Sequence, residues 1–166
     1  MAEKQEDIPI IQLLEESLAI KSVLAERFGI TLEARLEDPL AVLSGDRRLL
    51  RAAVGNLIDE AIRNGRAGKK VLVNQRTEGT GVVINVIRPP SGRRPRAAGS
   101  GSGGRIDAGT KRDGGNGGQS PGMTLARRVA ELHGGRIVSC TAEGGGSSCA
   151  LHLPLRRRGT ALGHVS

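Results

Sequence analysis

Asp46-Arg47-Arg48-Leu49-Leu50-Arg51-Ala52-Ala53-Val54-Gly55-Asn56-Leu57-Ile58-Asp59-Glu60-Ala61-Ile62-Arg63 reads as one amphipathic helix. Leu49, Leu50, Ala53, Val54, Leu57, Ile58, Ala61 and Ile62 recur at helical spacing and form a broad apolar face, which calls for a sheet to pack on. The pattern runs from Asp46 to about Asn64, and Gly65 and Gly68 end it. Upstream, residues 8 to 28 carry a second helical stripe in Ile10, Leu13, Leu14, Leu18, Val23 and Leu24, stopped at Gly29. Ile30, Leu32, Ala34 and Leu36 then alternate with polar residues, as in a half-buried strand that Asp38-Pro39 breaks. Downstream, Val71 to Arg76 and Val82 to Ile87 read as strands of a hairpin around Gly79-Thr80-Gly81.

Residues 88 to 121 differ in kind. Pro89, Pro90, Pro95 and Pro121 stand among many glycines, serines and arginines, with little apolar content beyond Ile106. Such a stretch builds no core and reads as a mobile lid-like loop. Met123, Leu125, Ala126, Val129, Ala130 and Leu132 mark a third helix, closed by Gly134-Gly135. Arg136 to Thr141 and Cys149 to Leu155 form a last hairpin. The order α β α β β, loop, α β β predicts an α/β fold: a two-layer sandwich with a mixed, mostly antiparallel sheet and three helices on one face. The expected organisation is a disordered segment over 1–7, one domain over 8–155 and a basic flexible tail over 156–166.

The 166 residues suit one domain with its own core. No apolar run reaches the length of about eighteen residues that a membrane span needs. The polar start, Met1 to Asp7, is unlike a secretory signal, and Cys140 and Cys149 match no zinc or redox spacing. A cytoplasmic, thiol-reduced protein is the expectation. Phe28 is the only aromatic residue, which argues against base-stacking modes of nucleic-acid binding. The net charge of +8 points to an anionic partner, although much of it falls in the loop and the tail.

Two blocks carry a family resemblance. The 46–63 helix resembles the N-box helix of histidine-kinase ATP-binding domains. Gly122-Met123-Thr124-Leu125-Ala126-Arg127-Arg128-Val129-Ala130-Glu131-Leu132-His133-Gly134-Gly135-Arg136-Ile137 resembles their last helix and following strand. A hairpin with Gly144-Gly145-Gly146 and the closing Leu151-His152-Leu153-Pro154 fit as well. The resemblance, which covers residues 8 to 155, implies the Bergerat fold of the wider superfamily of gyrase, mismatch-repair and heat-shock-chaperone ATPases.

The same resemblance implies an ATP and magnesium site, and here the sequence departs from the pattern. Family members place two asparagines four apart on the N-box helix, the second at the metal. This chain has Asn56 and then Glu60, with the basic Arg63 retained. A carboxylate can ligate magnesium but adds negative charge beside a polyphosphate. The family's next box, Asp-x-Gly-x-Gly, holds the adenine amino group through its aspartate. Here the place reads Arg88-Pro89-Pro90-Ser91-Gly92, and arginine is donor-only. An unmade buried pair of this kind costs roughly 1–3 kcal/mol. Pro90 also removes a backbone amide. The third glycine box reads Gly118-Gln119-Ser120-Pro121-Gly122, keeping its outer glycines only.

The nucleotide-binding candidates, all vestigial, are therefore Asn56, Glu60, Arg63, Arg88, Gly92, Gly118 and Gly122, with Asn56 and Glu60 at any magnesium, and no catalytic residue is assigned. Each has a plainer reading: Asn56 as a capping or surface amide, Glu60 and Arg63 as an intrahelical pair on a solvated face, Arg88 as a strand-end charge reaching water. His133 reads as structural, and Cys140 and Cys149 as small buried side chains. The expectation is a degenerate, non-catalytic interaction or regulatory module with no cofactor and a signalling partner of the kinase, phosphotransfer or response-regulator type. Two alternatives stay open. One is a working ATP/magnesium domain of a histidine kinase, lacking its own phosphoacceptor histidine. The other is an electrostatic binder that holds nucleic acid or an acidic protein through the basic loop.

Overall fold

In the computed structural model the described residues are 5–65, 69–90, 120–141 and 146–155. The helix that opened the sequence reading, α2, spans Arg47–Arg63. Asp46 caps it, its carboxylate accepting from the backbone N–H of Arg48 (2.9 Å) and Leu49 (3.1 Å), which satisfies two of the donors a helix start leaves unpaired. Leu50, Ala53, Val54, Leu57, Ile58, Ala61 and Ile62 are its buried face, and Leu49 packs at the margin of the core. Helix α1 spans Ile10–Arg27 and α3 spans Pro121–Leu132. Gly29 and Gly134, at φ 65° and 74°, end them, as the sequence predicts.

Five strands form the main sheet: β2 (Thr31–Leu36), β4 (Lys70–Glu78), β5 (Gly81–Arg88), β7 (Ser147–Pro154) and β6 (Arg136–Thr141), in that spatial order. β2 runs parallel to β4, and the remaining pairs are antiparallel. Val71, Val73, Val82, Ile84, Val86, Leu151 and Leu153 are buried on the sheet, and with the three helix stripes they form one core cluster. The expected two-layer α/β sandwich is the observed one. Among the described residues no helix is long and apolar enough to cross a membrane.

Two strands were not foreseen. β1 (Glu6–Pro9) pairs antiparallel with β3 (Val42–Gly45), Glu6 opposite Gly45 and Ile8 opposite Leu43. Glu6 and Asp7, read as the end of a disordered segment, thus belong to a strand. Four residues are too few to display a period, and their order comes from a partner far along the chain. Ile8 and Leu43 lie in the core, 0% and 1% exposed. The α1 stripe is also narrower than its pattern: Val23 is 63% exposed, while Ser17 is buried and donates its hydroxyl to the Leu13 carbonyl at 2.7 Å. A buried hydroxyl with an acceptor in its own helix carries little penalty.

Cys140 is exposed and Cys149 half-buried, against the expectation of two buried thiols. The register sets Cys140 opposite Ser148 and Cys149 opposite Ser139. Neighbouring residues of a strand face opposite sides, so the two thiols point away from each other across the sheet and do not bridge.

His133 joins the two blocks that carried the sequence reading. The Asp46 N–H donates to His133 Nε2 at 3.0 Å, and Nδ1 lies 2.7 Å from the Val129 carbonyl. Nε2 thus accepts from the Asp46 backbone while Nδ1 faces the Val129 carbonyl, and the ring fastens the end of α3 to the start of α2. Gly45 leaves space for the ring, since a Cβ there would lie 2.3 Å from His133 Cδ2. His133→Ala orphans the Asp46 donor and opens a void, so urea denaturation should show a loss of about 1–3 kcal/mol. An unchanged midpoint would show that the ring fastens nothing.

Candidate functional site

One side of α2 presents half-buried Asn56 and Glu60, one helical turn apart, and exposed Arg63. The mouth of α3 faces them. Ser120 caps α3, accepting from the Met123 N–H at 3.3 Å, with Pro121 in the first turn. Gly122 sits against Asn56: a Cβ there would approach its Cγ and Oδ1 to 3.3 Å. A side chain there would require Asn56 to give way by a few tenths of an ångström. The structure thus brings Asn56, Glu60, Ser120 and Gly122 together, although two of them lie on each side of the long loop.

Glu60 is not paired with Arg63 as the plainer reading expected. Its Oε2 accepts from Ser120 Oγ at 2.9 Å and its Oε1 from Asn64 Nδ2 at 2.8 Å. Both carboxylate oxygens are engaged, one of them across the α2–α3 gap. Arg63 is exposed, and no protein partner holds it among the described residues. Asn56 is half-buried, its amide likewise without a hydrogen bond to those residues.

Arg88, at the end of β5, turns back over the C-terminus of α2. Its Nη1 donates to the Asn64 carbonyl at 2.8 Å and its Nε to Ser147 Oγ on β7 at 3.3 Å. It does not merely reach into water: it is half-buried and serves a carbonyl that the helix end leaves without an intrahelical partner. A cation there also meets the negative end of the helix dipole. Behind it, Gly146 is pressed against the chain, where a Cβ would lie 2.9 Å from Pro90 N.

Gly92 and Gly118 lie outside the described residues, as do the basic stretch 91–119 and the tail 156–166. Sequence reasoning missed Ser120, Asn64 and Ser147 as site residues. Ser120 was legible, because serine directly before proline is an N-cap signature. Asn64 and Ser147 carried no such signal. A cleft of about 740 Å³ runs between α1 and α2 as far as Asn56, where Lys21 pairs with Asp59 at 2.7 Å.

These residues fit adenine and magnesium poorly. The position expected to accept the adenine amine holds only donors. A metal at Glu60 would share a carboxylate whose two oxygens already accept from Ser120 and Asn64. Among the described residues there is no group of three or more His, Cys, Asp or Glu side chains able to hold a metal by itself.

Comparison with known proteins agrees with this architecture. The profile of the histidine kinase-, DNA gyrase B- and HSP90-like ATPases matches residues 45–157. The chain is 28% identical over 156 residues to the sensor protein DivL of Caulobacter vibrioides, covering 93% of this chain and 19% of DivL. It is also 28% identical over 155 residues to the sensor-like histidine kinase SenX3 of Mycobacterium tuberculosis, covering 89% of this chain and 36% of SenX3. The chain therefore spans a fifth to about a third of these relatives. Among solved structures, the nucleotide-free catalytic domain of the histidine kinase ThkA superposes with a TM-score of 0.67 at 16% identity, over 91% of this chain and 97% of that one. The histidine kinase AdeS of Acinetobacter baumannii gives 0.65 at 17% identity, over 94% and 70%. At these identities the structural likeness speaks for the fold.

Proposed function

This chain belongs to the histidine kinase-, DNA gyrase B- and HSP90-like ATPase family, and on that premise we propose that it has kept the scaffold as a non-catalytic interaction or regulatory module of a two-component-type signalling system. The observation that carries this reading is the Arg88 guanidinium bonded to the Asn64 carbonyl. It puts a donor where adenine recognition needs an acceptor, and it is anchored at Asn64 and Ser147. The engaged Glu60 carboxylate adds negative charge where a polyphosphate would lie. The partner on this reading is a cytoplasmic signalling protein: a kinase, a phosphotransfer protein or a response regulator. No nucleotide cofactor is needed for such docking. Calorimetric titration with ATP and magnesium, beside a magnesium-free control, is expected to give no micromolar binding. Micromolar binding that requires magnesium would remove the reading.

One observation favours the second reading, a working ATP/magnesium domain that phosphorylates a histidine on another chain. The Asn56 amide is free of protein hydrogen bonds among the described residues and lies directly beside Gly122. On that reading Glu60 exchanges Ser120 for the metal, and Asn56→Ala abolishes any ATPase signal.

A further inference from the structure

We propose that the cleft between α1 and α2 is the docking surface of this module, and that its occupant is an acidic amphipathic helix of a partner protein. The inference rests on the reading of the chain as an interaction module and adds the surface and the chemistry of the partner.

The two helices lie side by side and run in the same direction. Arg47 reaches Gln12 and Glu16, Arg51 reaches Glu16, and Lys21 reaches Asp59, so the contacts advance along both helices together. The cleft of about 740 Å³ opens between them and is lined on α2 from Arg48 to Asn56, roughly 12 Å of helix axis or two turns. Ile20 of α1 and Leu49 of α2 stand on its two sides, with the small Ala52 between. The alkyl stem of Lys21 lies over Gly55, where a Cβ would stand 3.1 Å from Lys21 Cε, so that stretch of the floor is apolar as well. Ile20 is 56% exposed, and Val23, on the same side of α1 one turn further on, is 63% exposed. Single apolar side chains on a surface are ordinary. These two border a cleft, and a third helix fits such a groove by setting apolar side chains into it at helical spacing.

Charge selects the partner. Lys21, Arg48 and Arg51 line the cleft against one carboxylate, that of Asp46, which is committed to capping α2. Asp59 and Glu16 offset Lys21 and Arg51, and exposed Arg48 keeps the mouth basic. The first turn of α2 holds no acidic residue, so Arg47 and Arg48 stand at the positive end of the helix dipole, where cations are disfavoured. Glutamate or aspartate on a docked helix relieves both the charge and the dipole, and a basic helix relieves neither.

The test is fluorescence anisotropy of the full chain with three labelled peptides of about five helical turns each. The first carries leucines at helical spacing and glutamates elsewhere, the second lysines in place of the glutamates, and the third serines in place of the leucines. The acidic leucine peptide is expected to bind at least about tenfold tighter than either control, and to weaken as salt rises. Ile20→Asp should weaken it by about tenfold or more, as loss of an apolar anchor does. Arg48→Glu should weaken it and strengthen the lysine peptide. Both side chains are exposed, melting checks that the variants fold, and the comparison of peptides needs no variant. Leu125→Asp, at a 48% exposed position on α3, should change nothing. The proposal is overturned if the acidic leucine peptide does not bind, or if either control peptide binds as well. Full binding by folded Ile20→Asp or Arg48→Glu also overturns it, as does loss of binding in folded Leu125→Asp. Sedimentation showing self-association that Ile20→Asp dissolves would give the cleft to a second copy of the chain, and overturns it too. Absent peptide binding with ATP also unbound sinks this surface and leaves the interaction-module reading intact, whereas magnesium-dependent ATP binding removes that reading.

Discussion

Gly135→Ala is expected to destabilise the protein by about 3 kcal/mol or more, at the upper end of what forced overpacking costs. A Cβ at position 135 would lie 1.9 Å from the His152 carbonyl oxygen and 3.0 Å from its carbonyl carbon. Neither atom belongs to a side chain that can swing aside. Accommodation requires β6 to move off β7 at its first pair, Arg136 opposite His152. That shift propagates to Ile137, a core residue paired with Leu151. Chemical denaturation of the purified variant reads the effect. A midpoint within a few tenths of a molar of the parent would mean that the hairpin tolerates the methyl, and that the close approach is not what requires glycine here.

The second large effect is a gain. The double variant Arg88→Asp, Glu60→Asn returns an acceptor to the base position and an amide to the metal position. ATP with magnesium should bind it about ten- to a hundredfold more tightly than the parent, since repairing an unmade buried pair is worth roughly 1–3 kcal/mol. The exchange also removes the ties of Arg88 to Asn64 and Ser147 and of Glu60 to Ser120. Thermal melting therefore has to establish that the variant folds before affinity is compared. A folded double variant that still ignores ATP would shift the cause of the loss to Pro90 and the altered glycine boxes. The single variants separate the two contributions: Arg88→Asp should govern the affinity for adenine, and Glu60→Asn the magnesium dependence.

The site was legible in the sequence only in part. That Asn56 and Glu60 share a face follows from helical spacing, and that Gly122 opens α3 follows from the apolar pattern behind it. That Gly122 lies against Asn56 does not follow, because it depends on how α3 packs on α2. Glu60 illustrates the limit. Spacing offered Arg63 as its partner, one turn away. The fold supplied Ser120, sixty positions distant. Asn64 is four positions from Glu60, within reach of helical geometry, yet composition gave no reason to prefer it over Arg63.

The three helices, the four strands of the two long hairpins and the sandwich they imply were set by the sequence itself. Each rests on the period of apolar residues within a short window, and an element must bury that face whatever its neighbours are. Tertiary structure alone decided the β1–β3 pair, the hold of His133 on Asp46, and the turn of Arg88 onto Asn64. The last two join residues 87 and 24 positions apart. A hydrogen bond needs its atoms placed to a few tenths of an ångström. That placement is a property of the packed core as a whole, not of any segment that contributes to it.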